Sequence, residues 1–211
     1  MARSPLKIAV LVSGSGTTLA NLLDLARGRQ LDIQIETVIG SRPNLVGIDR
    51  ATQAGLKTQV VDRKQFSTCT GFSARVFDLV DQAQVDLVVL AGWLCLLELP
   101  PRYRGRAMNI HPALLPSFGG RGMYGSKVHQ AVLAHGCKLS GCTVHFVDDL
   151  YDTGPIILQR ACPVLEDDTP QTLAHRVFEE EKIAYPEAIR LFHDGRLKIE
   201  DRRVRILPQS I

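Results

Sequence analysis

Five apolar residues in a row, Ile8–Val12, run straight into Ser13-Gly14-Ser15-Gly16-Thr17-Thr18, after which Leu19, Leu22, Leu23 and Ala26 recur at helical spacing. An unbroken apolar run is expected of a strand covered on both faces, whereas a strand with one wet face alternates. Strand, glycine loop and helix in immediate succession restrict the chain to α/β folds with a parallel sheet. Glycines in such a loop let the backbone approach an anion, and the first N–H groups of the helix, with its dipole, favour negative charge there. Thr17 and Thr18 are placed either to cap the helix or to donate hydroxyls to a phosphate. The loop lacks the lysine of G-x-x-x-x-G-K-[ST], so it is no P-loop, and Leu19 stands where G-x-G-x-x-G has its third glycine. Glu36 occupies the place of a ribose-binding acid, a single match of little weight. A tight turn without a ligand is the plain alternative for the whole loop.

The same alternation continues. Ile33–Ile39 reads as a second strand, Leu45–Ala54 as a helix closed by Gly55, and Thr58–Val61 as a third strand. Phe66–Gly71 reads as a loop and Phe72–Ala83 as a helix with Val76, Leu79 and Val80 inward. Asp86–Ala91 is another buried strand, ended by Gly92. Right-handed crossovers and a mainly parallel sheet follow, and ligands of such sheets gather at the carboxyl ends of the strands. Three elements fall at such ends: the Gly14–Thr18 loop, the Gly92–Leu97 loop and the stretch Met108–Pro116, MNIHPALLP.

In that last stretch, Arg106–Ile110 reads as a short strand. Asn109 and His111 lie two positions apart, so on an extended chain their side chains leave on one face. An amide and an imidazole side by side can polarise a carbonyl and move a proton. Pro112 restricts His111 to an extended backbone. Taken alone, a strand-end histidine satisfied by its neighbours is an equally good reading.

Beyond the prolines, Phe118–Gly125 is glycine-rich and irregular, leading into a helix from Ser126 to His135. His129 and His135 do not stack on one helical face, which argues against a shared metal. Gly141–Val147 is a strand with Thr143, His145 and Val147 on one side; His145 is placed either to reach a site or to serve as a core histidine. The acidic loop Asp148–Gly154 lacks cation-binding spacing, and one of its carboxylates is a candidate to orient His111 and raise its pKa. A strand from Ile156 to Val164 precedes a helix capped by Thr169, with Leu173, Val177 and Ile183 inward and most of Glu179–Glu181 solvated. Arg196–Leu207 reads as a terminal hairpin turning at Asp201-Arg202, its arginines on one exposed face.

The 211 residues suit one domain, 1–211, with a Rossmann-like first half to about residue 105 and a mixed-sheet second half from about 106. No repeat or linker interrupts it. A net charge of +3 with scattered Lys and Arg gives no footprint for nucleic acid. Cys69, Cys95, Cys137, Cys142 and Cys162 are odd in number and lack C-x-x-C spacing, so neither a disulfide framework nor structural zinc is expected, and a reducing, cytoplasmic location is. The N-terminal apolar run is too short for a signal peptide, and nothing approaches the ~18 apolar residues of a membrane span.

Together these motifs carry a resemblance. VLVSGSGTTL, DLVVLAGW, MNIHPALLP, GCTVHFVDDLYDTGPII and EEEKIAYP make the chain similar, from Lys7 to the C-terminal hairpin, to the phosphoribosylglycinamide formyltransferase family, the folate-dependent enzymes of purine synthesis. N-I-H-P-x-L-L-P followed by D-x-G-P is specific to folate-type formyltransferases. The resemblance implies an α/β fold, Rossmann-like with a mainly parallel twisted sheet flanked by helices, and transfer of the formyl group of 10-formyltetrahydrofolate to the amine of phosphoribosylglycinamide. It implies Asn109, His111 and Asp152 as catalytic residues, with Asp152 holding His111 charged. It places the ribose phosphate on Gly16, Thr17 and Thr18 and the ribose or amine end on Glu181. Folate would lie along Leu94, Cys95, Leu96, Leu97, Asn109, His111, Asp148 and Asp149, with Cys69 nearby; Cys69 and Cys95 stand where relatives often carry arginine. No metal is implied, and the partners are small molecules acting on a monomer or homodimer, with no nucleic acid or membrane.

Rival readings are a methionyl-tRNA formyltransferase, for which the chain ends too soon to hold an RNA-binding domain, and a formyltetrahydrofolate hydrolase, whose extra N-terminal domain has no room before residue 13. Sugar-amine formyltransferases are weaker. A nicotinamide oxidoreductase meets the Leu19 mismatch, and a non-catalytic nucleotide-binding module gives Asn109 no role.

Overall fold

The structure, a computed structural model, describes residues 4–209. It divides into two compact units between Met108 and Asn109. The first alternates strand and helix: β1 (Leu6–Val12), α1 (Thr17–Arg27), β2 (Ile33–Gly40), α2 (Val46–Gln53), β3 (Thr58–Val60), α3 (Cys69–Gln82) and β4 (Leu87–Leu90). The strands lie in the order β3-β2-β1-β4, every pair parallel, with Ile8 between Ile35 and Leu87. Ile8–Val12 have 0% exposure, which explains their unbroken apolar run: β1 is central and covered on both faces. Burial of each large aliphatic side chain there contributes about 1.5–3 kcal/mol. Glu36, the isolated match to a ribose-binding acid, pairs with Lys7 at 3.9 Å.

Helix α3 starts three residues earlier than the apolar pattern indicates. Thr68 accounts for the early start, because its hydroxyl accepts the Gly71 N–H at 3.1 Å and caps the first turn. A glycine inside that turn concealed it from a reading by periodicity.

Strand β5 (Ala107–His111) carries the chain into the second unit, followed by α4 (Ser126–Ala134), β6 (Leu139–Phe146), β7 (Ile156–Pro163), α5 (Pro170–His193), β8 (Leu197–Glu200) and β9 (Arg203–Ile206). Strands β6 and β7 are antiparallel, β9 joins β7 in parallel through Ile156 and Arg203, and β8–β9 is the expected hairpin. The fold is therefore α/β, with a parallel sheet first and mixed strands after. Strand β6 has a shift in register between Val144 and His145.

Helix α5 packs on β6 and β7 and buries Leu173, Val177, Ala184, Ala188 and Leu191. Ile183, expected inward, is 49% exposed. Seven residues from Val177 lead to Ala184, so Ile183 falls one position off the buried stripe. The helix is capped as expected by Thr169, which exchanges hydrogen bonds with Thr172. Among the described residues no helix is long and apolar enough to cross a membrane.

Candidate active site

At the carboxyl end of β5 the structure brings Asn109, His111, His145 and Asp152 together within the second unit. The turn after β5 is pinned from below by Thr143, whose hydroxyl donates to Ala113 O at 2.7 Å and accepts from Leu115 N at 3.0 Å. Gln159 donates to the same hydroxyl at 2.8 Å and to Leu115 O at 3.0 Å. Asp152 stands at φ 57°, in the left-handed region, and two residues on, Gly154 makes the tightest backbone approach of its loop. A Cβ on Gly154 would lie 1.8 Å from Phe146 O, so the D-x-G-P glycine lets the acidic loop press onto the end of β6 and deliver Asp152.

His111 donates its Nε2 proton to Phe118 O at 2.8 Å; a carbonyl only accepts, which fixes the tautomer. Its Nδ1 then faces Asp152 Oδ2 at 3.5 Å. His145 donates from Nδ1 to Phe146 O at 2.8 Å, leaving Nε2 to accept from Asn109 Nδ2 at 3.1 Å. The other Asn109 amide contact, to Asp152 Oδ1, is long at 3.4 Å. Gly120 N–H donates to Asp152 Oδ2 at 2.9 Å.

Burial is the largest influence on His111 and pulls its pKa below the ordinary 6.5, although the Asp152 charge and the Phe118 carbonyl pull upward. The expectation that Asp152 raises the pKa of His111 therefore holds for the carboxylate's own effect and fails for the net result. His111 is 4% exposed, and burial of the charged ring outweighs one carboxylate at 3.5 Å. Burial pushes the Asp152 carboxyl upward as well, but the neighbouring imidazoles of His145 and His111 and the Gly120 N–H bring the balance below the usual carboxylate value. The result is an anionic carboxylate flanked by two imidazoles and an amide. His145 is the member that sequence reasoning left undecided.

In the first unit, Gly16 occupies the N-cap of α1 at φ 70° with no side-chain cap, so neither Thr17 nor Thr18 caps the helix as one reading allowed. They are its first two residues, Thr17 exposed and Thr18 buried. A Cβ on Gly16 would lie 2.7 Å from Gly47 Cα, and Gly47 N–H donates to Gly14 O at 3.1 Å. Gly47 at the start of α2 thus backs the glycine loop, a role hidden in the sequence inside an ordinary helical pattern. Ser13 Oγ accepts from Ser41 Oγ at 2.8 Å and from Leu94 N at 3.0 Å, tying the glycine loop to the loop after β4. Along that second loop Leu94 is 44% exposed, Leu97 is in the core at 3%, and Cys95 and Leu96 lie between. Cys69 opens α3 and donates from Sγ to Leu96 O at 3.4 Å.

The other predicted residues lie in the second unit. Asp148 spends its carboxylate inside its own loop, accepting from Thr153 Oγ1 at 2.7 and 2.9 Å and from Leu150 N at 3.2 Å; Asp149 is exposed. Glu180 is tied to Arg160 at 2.6 Å and Glu181 is half-buried, so the acidic run is less solvated than expected. Burial alone pushes the Glu181 carboxyl up to about 7. Among the described residues no cluster of three or more His, Cys, Asp or Glu side chains is placed to hold a metal.

An amide and an imidazole donor beside a buried carboxylate suit stabilisation of an oxyanion and transfer of a proton. The sequence profile of the formyl transferase family matches residues 6–189. The chain belongs to the formyl transferase family. It is 38% identical over 195 residues to the trifunctional purine biosynthetic protein adenosine-3 of Gallus gallus, covering 92% of this chain and 19% of that one. It thus spans about a fifth of the length of that trifunctional relative. It is 36% identical over 204 residues to the chloroplastic phosphoribosylglycinamide formyltransferase of Arabidopsis thaliana, covering 95% and 70% of the two chains. The crystal structure of glycinamide ribonucleotide transformylase 1 from Symbiobacterium toebii superposes with a TM-score of 0.88 at 44% identity, over 97% of this chain and 95% of that one.

Proposed function

We propose that the chain transfers the formyl group of 10-formyltetrahydrofolate to the amine of N1-(5-phospho-D-ribosyl)glycinamide, a step of de novo purine biosynthesis that gives the N2-formyl product and tetrahydrofolate. The observation that carries this reading is the cluster of Asn109, His111 and Asp152 at the end of β5. The amine attacks the formyl carbon, and the developing oxyanion takes hydrogen bonds from Asn109 Nδ2 and His111 Nε2. Both donors have partners to exchange: Nε2 leaves Phe118 O, and Nδ2 leaves His145 or Asp152. As negative charge forms beside the ring, protonation of His111 becomes favourable, and Asp152 faces the Nδ1 that would carry the added proton. The proton that the amine loses on attack is the one His111 holds in the intermediate, and it ends on the folate nitrogen as the intermediate collapses, leaving His111 neutral again.

The ribose phosphate is assigned to the N–H groups of Gly16, Thr17 and Thr18 at the start of α1, and Glu181 to the ribose or amine end. The pterin is assigned to the backbone of Leu94–Leu97, with Asp148 holding its own loop in shape. The test is an assay of purified protein with both substrates, following folate absorbance, with the amine omitted as control. Turnover that requires the ribonucleotide supports the reading. Formate release regardless of the amine makes the chain a hydrolase and overturns it.

A further inference from the structure

Three loops at the carboxyl ends of the first unit's strands meet at one hydroxyl. Ser13 follows β1 directly and is 3% exposed. Its Oγ accepts from Ser41 Oγ, just past β2, at 2.8 Å and from Leu94 N, in the loop after β4, at 3.0 Å. Its own N–H donates to Gly92 O at 3.1 Å. Among the described residues, 93–98 make no backbone–backbone hydrogen bond, so side chains hold that loop in shape. Besides Ser13 these are Cys69, whose Sγ donates to Leu96 O at 3.4 Å, and Ser73, whose Oγ accepts from Glu98 N at 2.9 Å. Both of those come from α3; only the hold of Ser13 reaches from the glycine loop.

We propose that Ser13 is a positioning residue that couples the two substrate subsites, so that ribonucleotide on the glycine loop tightens folate on the loop after β4, and the reverse. The coupling rests on the proposed assignment of the two substrates to these loops. An anion held by the N–H groups of Gly16, Thr17 and Thr18 fixes the segment that begins at Ser13, and with it the acceptor of the Leu94 N–H. The Ser41 hydroxyl occupies the other lone pair of Ser13 Oγ and holds its rotamer toward Leu94. The entropy of ordering both loops is then lost once, at the first ligand, and the second ligand meets a loop already in place.

The experiment uses the full chain with the ribonucleotide and tetrahydrofolate, a pair that binds without reacting because no formyl group is present. Calorimetry gives the Kd of each ligand with and without the other, and hydrogen exchange follows the Leu94 N–H. The ribonucleotide should tighten tetrahydrofolate about fivefold, the worth of one net hydrogen bond, and tetrahydrofolate should tighten the ribonucleotide by the same factor. The ribonucleotide alone should slow exchange at Leu94. In S13A the coupling factor should fall to about one and the ribonucleotide should no longer protect Leu94, whereas S73A should weaken tetrahydrofolate and keep the factor. The exchange readout on the parent needs no variant and so decides the matter even where S13A does not fold. No coupling in the parent, a factor that survives in S13A, or one lost equally in S73A would overturn the proposal. A chain that binds both ligands with coupling but transfers no formyl group would overturn the proposed function and leave the coupling standing; a chain that binds neither would overturn both.

Discussion

His111 Nδ1 and Asp152 Oδ2 lie 3.5 Å apart, yet the ring is held below its ordinary pKa because burial outweighs the carboxylate. The pair is poised: His111 is neutral at rest, and negative charge appearing at its Nε2 side tips it toward the charged form.

Removing the carboxylate should lower the His111 pKa further. In Asp152→Asn, the histidine ring resonances followed by NMR should titrate at lower pH than in the parent, and both should lie below 6.5. The sign for stability follows from proton counting. As pH falls through 6.5 the unfolded chain binds a proton at His111 before the native chain does, so stability drops with falling pH until the native ring is also charged. His111→Asn should flatten this part of the profile in thermal melts. An Asp152→Asn chain whose His111 titrates at or above the parent value would contradict the assignment.

Glu181 gives the opposite slope. Its carboxyl titrates at about 7 in the fold against an ordinary 4.5, so between those values the native chain holds a proton that the unfolded chain has lost. Stability from this group is full below 4.5 and declines as pH rises through about 7. Glu181→Gln, compared with the parent by melting temperature across that range, should remove the decline and raise KM for the ribonucleotide. Glu179→Ala, at a residue that pairs with His175 and Lys182 on the outer side of its own helix, should do little to either.

Gly16→Ala tests the glycine loop. The new Cβ would meet Gly47 Cα at 2.7 Å in a backbone with φ 70°, so the loop must open. A loss of roughly 1–3 kcal/mol in stability is expected, together with a raised KM for the phosphate-bearing substrate and a smaller change for the folate. Equal change in both KM values would argue against a phosphate role.

His145 should act through Asn109. His145→Phe removes the acceptor of the Asn109 Nδ2 bond at 3.1 Å and leaves the amide free to rotate. Turnover should fall roughly tenfold, the cost of one buried hydrogen bond, with KM values less affected. His145→Gln, which can restore an acceptor, should recover part of it.

Much of this architecture was legible because local rules decide it. The buried run Ile8–Val12 announced a central parallel strand, and the spacing of Asn109 and His111 put both on one face because strands repeat every two residues. The D-x-G-P motif marked the loop that carries Asp152, although not the close approach of Gly154 that delivers it. What stayed hidden depends on tertiary neighbours. His145 became a partner of Asn109 only once β6 was placed, and Gly47 backs Gly16 across two helices. The net charge preference of His111 reflects how deeply the fold buries it, which no spacing records. Ile183 misled because a large apolar residue one step off the stripe looks like part of it.

The most direct measurement is amine-dependent formyl transfer under single-turnover conditions by the parent and by His111→Ala, with folate binding measured alongside by fluorescence. The central claim is that His111 donates to the oxyanion of the intermediate. It requires a rate loss of roughly two to three orders of magnitude in a folded variant that still binds folate. A variant that transfers formyl groups within a few fold of the parent rate would contradict it.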